Sequence, residues 1–265
     1  MDVKHTCMRT QVYDPDKRIS LFVKSICVFE SADENIHTTL PFFADGYPGL
    51  MFHDTVHGLT IQPHQKTMPV LFLYGQTIKP VTLEIDGAYQ VILFQLYPFV
   101  LKNIFGISPP SIHDNCYDLQ QLENNTVEKL PTTLLSMQEV ETRIEALTDF
   151  LYQLFLSRKE DIDPDVRQMI EIILASKGKE KIIQIAQQLK VTVRTLERKF
   201  LQETGLTPKK FAMIIQFQSS LEQLSVKSFN TLADIVYENG FADQSHFIKV
   251  FKAYTGKTPK AFHKK

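Results

Sequence analysis

The chain has no tryptophan and only three cysteines in 265 residues, Cys7, Cys27 and Cys116. The count is odd and no CxxC occurs, so neither a disulfide framework nor a zinc ribbon is expected. No run approaches the ~18–20 consecutive apolar residues that span a bilayer, so no membrane partner is expected. The opening MDVKHTCMRT lacks the apolar stretch of a secretory signal. A reducing cytoplasm is the expected compartment. GxSxG, GxGxxG and the P-loop are all missing, which leaves covalent hydrolysis and nucleotide chemistry without support. What remains is ordinary for a globular chain, with 43% hydrophobic and 22% charged residues.

The net charge of −1 hides an asymmetry. Residues 161–265 hold 17 Lys+Arg and 11 Asp+Glu, a net of +6, while residues 1–160 hold 12 and 19, a net of −7. A basic part is attracted to a polyanion and an acidic part is repelled.

From about residue 10 to 97 the chain reads as β-rich. ISLFVKSICVFE (19–30), GLMFHDTV (49–56), PVLFLYG (69–75), PVTLEID (80–86) and YQVILFQLY (89–97) are short runs rich in β-branched and aromatic residues. Gly, Pro and Asp punctuate them, the pattern of a sandwich or barrel. FVLKNIFG (99–106) reads as a short helix ended by Gly106. From Ser136 to Leu156, Met137, Val140, Ile144, Leu147, Leu151 and Leu154 recur at alternating spacings of three and four. That stripe predicts an amphipathic helix, 136–156. It either packs on the β-rich part or forms a homodimer seam, and the two are compatible. SRKEDIDPD (157–165) is charged and nearly free of apolar residues, as linkers are.

Beyond it the pattern is helical. In KIIQIAQQLKVTVRTLERKFLQETGLTP, starting at Lys181, Ile182, Ile183, Ile185, Ala186 and Leu189 form the apolar side of one short helix. Thr192 is placed to cap the next, where Leu196 and Phe200 face inward and Arg194, Glu197 and Arg198 outward. About 50 residues later the arrangement recurs in TLADIVYENGFADQSHFIKVFKAYTGKTP. There Asp243 caps, Phe247, Val250 and Phe251 face inward, and Gln244, Ser245, His246 and Lys249 outward. Each copy is the pattern of a helix-turn-helix, whose second helix enters the major groove. Lys199, Lys209, Lys210 and Lys252 suit phosphate contacts, which position without specifying.

Residues from about 170 to 265 resemble the DNA-binding domain of the AraC/XylS family of bacterial transcription regulators. The matching features include Gly240-Phe241, Phe251-Lys252 and Gly256-x-Thr258-Pro259, together with the duplication itself. The resemblance implies base-reading roles for Arg194, Glu197 and Arg198 in the first unit and Gln244, Ser245, His246 and Lys249 in the second. The chemistry suits these roles, because Arg bonds guanine bidentately, Gln reads adenine and Glu accepts from cytosine. It also implies double-stranded DNA and RNA polymerase as partners. One departure stands out: Lys190 occupies a turn position where such units usually carry Gly.

The family's N-terminal domains are often cupin-like barrels that sense a small molecule or dimerise. The expected architecture is α+β with two domains. Residues 1–157 form a β-rich regulatory and dimerisation domain, cupin-like barrel or sandwich, with flanking helices. Residues 158–166 form a linker, and 167–265 an all-α DNA-binding domain with two helix-turn-helix units. Phe42, Phe43, Tyr47, Phe52, Phe72, Tyr74, Phe94 and Tyr97 either line an apolar effector pocket or fill the core. An alternative is a cupin-type metal enzyme or ligand-binding protein with an attached DNA-binding domain. It needs clustered ligands, and His37, His53, His57, His64 and His113 show no HxH pair. No metal, cofactor or catalytic residue is therefore expected.

Overall fold

The computed structural model describes residues 9–112, 115–121, 125–157, 162–226, 229 and 231–263. Cys7, His113 and residues 158–161 of the expected linker lie outside them. The first part of the chain forms two antiparallel sheets. Strands β1 (Arg9–Tyr13), β2 (Val23–Ser31), β4 (Gly49–Thr55), β7 (Leu71–Tyr74), β9 (Tyr89–Leu96) and β10 (Cys116–Asp118) make one, in the order β1-β2-β9-β4-β7-β10. Strands β3 (His37–Phe42), β5 (Leu59–Gln62), β6 (Lys66–Thr67) and β8 (Val81–Asp86) make the other, in the order β3-β8-β5-β6.

The central strands of the larger sheet, β4, β7 and β9, are buried on both faces. Met51, Phe72, Tyr74, Val91 and Leu93 pack against Leu40, Leu59, Leu83 and Ile85 of the smaller sheet. Their sequence neighbours Leu50, Phe52, Leu71, Leu73, Ile92 and Phe94 face the other way, into a core shared with the helices. Side chains alternate across a strand, so a strand with two buried faces reads as a continuous apolar run.

Helices α1 (Val100–Asn103), α2 (Asn125–Ser136) and α3 (Val140–Ser157) flank that outer face. The stripe expected on one helix, 136–156, is divided: Ser136 ends α2 and Met137 lies in the connection. Leu147, Leu151 and Leu154 are buried in the chain's own core. Their neighbours Glu141, Glu145, Asp149 and Gln153 face solvent. This corrects the dimer-seam reading, because an interior stripe is not available to a second copy. Arg143 fixes the helix's rotation. Its buried guanidinium donates to Asp54 Oδ2 (2.6 Å), Gln90 Oε1 (2.7 Å), the Met137 carbonyl (2.7 Å) and the Leu134 carbonyl (3.1 Å). A charge buried in this way is tolerated because four of its five N–H donors find acceptors, one of them a carboxylate.

Seven further helices follow among the described residues: α4 (Pro164–Ala175), α5 (Ile182–Gln188), α6 (Val193–Thr204), α7 (Pro208–Ser225), α8 (Leu232–Glu238), α9 (Gln244–Thr255) and α10 (Pro259–His263). The internal repeat is close. α5 and α8 have seven residues each, and α6 and α9 have twelve. The Thr192 hydroxyl caps α6 by accepting from Thr195 N–H, and the Asp243 carboxylate caps α9 by accepting from His246 N–H. Both long helices end on a left-handed glycine, Gly205 at φ 75° and Gly256 at φ 74°. Between the units runs α7, with Phe211, Ile214, Ile215, Phe217 and Leu224 buried.

Lys190 takes the left-handed turn at φ 56°, as Gly240 does at 75° in the second unit. A side chain there carries a strain of roughly 1 kcal/mol. Lys190→Gly is expected to raise the stability of the folded chain by a few tenths to about 1 kcal/mol, the relief of strain being partly offset by glycine's entropy. Urea unfolding of both proteins checks it, and a less stable variant contradicts it.

Candidate nucleic-acid interface

Each second helix presents a polar face at its N-terminal end. On α6, Leu196 and Phe200 are fully buried while Arg194, Glu197 and Arg198 are exposed. On α9, Phe247 and Phe251 are fully buried while Gln244, Ser245 and Lys249 are exposed. Helix periodicity accounts for the division, because positions three and four apart share a face. His246 departs from its expected position. It is only partly exposed, its ring lies 5.9 Å from the Phe241 ring edge-on, and its Nδ1 is buried.

The four lysines expected on phosphates divide. Lys209 and Lys210 stand in the first turn of α7, whose dipole favours an anion, although the Lys210 N–H is already taken by the Thr207 hydroxyl at 3.2 Å. Lys252 is exposed in the last turn of α9. Lys199 is corrected: its ammonium pairs with Asp165 Oδ2 at 2.6 Å and Asp163 Oδ2 at 3.1 Å, at the start of α4. The hydrogen bonds it donates to Asp165 and then Asp163 hold the amine's pKa above its ordinary value. It ties α6 to α4 and is not offered to a phosphate. Lys252→Ala is therefore expected to weaken binding to all DNA sequences alike and lower the salt slope by about one. Lys199→Ala is expected to leave that slope unchanged. A salt titration of DNA affinity checks both, and equal slopes in the two variants contradict the assignment.

The sequence reading did not anticipate how firmly the β-rich part holds these helices. Gln76, fully buried, donates from Nε2 to the Thr204 carbonyl at 2.7 Å, at the end of α6. One residue earlier, Glu203 accepts from Lys102 Nζ (2.5 Å) and Asn103 Nδ2 (2.8 Å). Gln218 Nε2 of α7 donates to the Ala44 carbonyl at 2.6 Å. Tyr47 meets Phe211 edge-on at 6.3 Å, and Phe43 meets Phe262 at 5.7 Å. Gly46 permits the approach, since a Cβ there would stand 2.9 Å from the Phe211 ring. Gln76, Glu203, Gln218 and Gly46 are single polar or small residues without periodicity, so no pattern marked them.

A cavity of about 1190 Å³ opens between the two sheets. Met51, Phe72 and Tyr74 line it from the larger sheet, and Phe42, Val81 and Leu83 from the smaller. Lys66, Lys79 and His64 supply polar groups, and Ala253 of α9 also borders it. The aromatic residues expected there separate accordingly. Phe42, Phe72 and Tyr74 line the cavity, whereas Tyr47, Phe52 and Phe94 are buried in the core shared with the helices. Among the described residues no group of three or more His, Cys, Asp and Glu is placed to hold a metal ion. His53 is buried, with Nδ1 3.1 Å from the Thr55 hydroxyl and Nε2 3.4 Å from the Met68 carbonyl.

Comparison with known proteins agrees with this geometry. Residues 185–265 match a helix-turn-helix domain family, and residues 11–118 match a domain of unknown function, DUF6597. The chain is 31% identical over 77 residues to the transcriptional activator RhaS of Yersinia pestis (strain Pestoides F), covering 29% of this chain and 28% of that protein. It is 34% identical over 68 residues to RhaS of Escherichia coli (strain SE11), covering 26% and 24%. The match thus spans about a quarter of the length of these relatives. A crystal structure of ToxT from Vibrio cholerae O395 aligns over 97% of both chains at 14% identity, with a TM-score of 0.47. The C-terminal part is a helix-turn-helix domain. Through that part, with its two units, the chain is similar to regulators of the AraC/XylS family.

Proposed function

We propose that this chain is a sequence-specific DNA-binding transcription regulator, controlled by a small molecule or partner bound to its β-rich part. The observation that carries the reading is the pair of equivalent twelve-residue helices, α6 and α9, each with its apolar side sealed and its polar side exposed. Laid in successive major-groove segments, they would read two base blocks roughly 34 Å apart. Arg194, Glu197, Arg198, Gln244, Ser245 and Lys249 would read bases, with His246 less available, and Lys209, Lys210 and Lys252 would hold phosphates. The cavity between the sheets offers an effector an apolar body and a few polar groups. Its contact with Ala253 and the Gln76–Thr204 hydrogen bond give occupancy a route to both helices.

On this reading residues 1–157 are the regulatory part and 167–265 the DNA-binding part, and of the expected linker 158–166 residues 164–166 already belong to α4. RNA polymerase is the expected protein partner and the cytoplasm the expected compartment. No helix among the described residues is long and apolar enough to cross a membrane. A second copy, where one binds, must dock elsewhere than on the α3 stripe. The reading assigns no catalytic residue.

Titrating a mixed-sequence duplex with the full chain at increasing salt tests the first step. The reading expects log affinity to fall linearly with log salt, as counterions leave the phosphates. Absence of binding at low salt contradicts it.

A further inference from the structure

The two helix-turn-helix units meet directly as well as through α7. The turn between α4 and α5 passes through Gly178 at φ +75°. A Cβ there would stand 2.2 Å from the Ala212 carbonyl oxygen of α7, so only glycine permits the approach. Gln216 of α7 donates from Nε2 to the Gly178 carbonyl at 3.0 Å. The same Nε2 is 3.4 Å from where a Cβ of Gly240 would be, and Lys179 Cγ is 3.1 Å from it. Lys179 Nζ, 3.4 Å from the Glu238 carbonyl, reaches the end of α8. One glutamine and one lysine stem therefore join the turn that leads into α5 to the turn that leads into α9.

Ring packing also links the units to α7, with Phe200–Phe211 at 5.7 Å and Phe217–Phe251 at 5.5 Å. Apolar packing is non-directional: it resists separation but constrains rotation weakly. A hydrogen bond has a preferred direction and fixes rotation. We propose that Gln216, with Gly178, Lys179 and Gly240, sets the relative orientation of α6 and α9, and thereby the spacing between base blocks that the chain accepts on duplex DNA. These are positioning residues, because Gln216 is half-buried among the turns and acts only through the two helices. The inference rests on the DNA-binding reading above.

The test is selection of random duplex DNA by three full-length proteins: the natural chain, Gln216→Glu and Gln216→Leu. Glutamate sets an acceptor against the Gly178 carbonyl, and leucine removes the donor without adding charge. Two quantities are read separately, the base preference within each block and the distance between blocks. The natural chain is expected to prefer one spacing about tenfold or more over its neighbours one base pair away, a discrimination typical of one mismatched position. Both variants are expected to keep the base preferences and lose most of the spacing preference, to about threefold or less. An unchanged spacing distribution in the variants overturns the inference and leaves the DNA-binding reading intact. Absence of any two-block motif with the natural chain overturns that reading and this inference with it. Gln216→Leu carries the test where the carboxylate variant does not fold.

Discussion

Leu147→Glu is expected to yield a chain that does not fold, rather than a soluble monomer. Leu147 is fully buried on α3, in the core that runs from the larger sheet into the helices. A carboxylate placed there is unpaired and removes the leucine packing. Each effect alone costs several kcal/mol, and together they exceed about 4–5 kcal/mol. Domain stabilities are about 5–15 kcal/mol, so most or all of the margin is lost. Circular dichroism and sedimentation of the purified variant check this. A cooperatively folded, monomeric Leu147→Glu chain would contradict it and restore the dimer-seam reading. Leu156, on the solvent side of the same helix and 42% exposed, is the control. Leu156→Ser is expected to change stability by no more than about 0.5 kcal/mol.

Arg198→Ala is expected to weaken binding to the preferred DNA by about 1–3 kcal/mol and to relax preference at one base pair in a single block. Arg198 stands exposed on α6, two residues before fully buried Phe200, so truncation leaves the helix's packing untouched. The second block, read by α9, should keep its preference. Competition with a set of single-base variants of the selected site checks this. A uniform loss across all variants would mean that Arg198 touches phosphate and not base.

Much of this was legible in the sequence, for reasons that can be named. The two helix pairs α5–α6 and α8–α9 were recognisable from the repeated pattern and from the boundary signals of their second helices: Thr192 and Asp243 as caps, Gly205 and Gly256 as stops. β4, β7, β8 and β9 were visible as apolar runs. The short edge elements β1, β6 and β10 were not, since an edge strand with one or no buried face has little apolar content. α2 was missed because Pro131 lies inside it, a residue that argues against a helix. The division at Ser136 was hidden because the stripe of three and four spacings runs on through the break. Of the interface, the outward faces of α6 and α9 followed from periodicity. The ion pairs of Lys199, the inward turn of His246 and the contacts of Gln76 and Gln216 did not. Those depend on which distant segment packs alongside, which local spacing does not encode.

The central claim is that one chain reads DNA with two recognition helices. Selection of random duplex DNA by the purified full-length chain, with sequencing of the bound pool, tests it most directly. The account predicts a motif of two blocks separated by about one helical turn. A motif of one block, or a bound pool with no sequence preference, would contradict it.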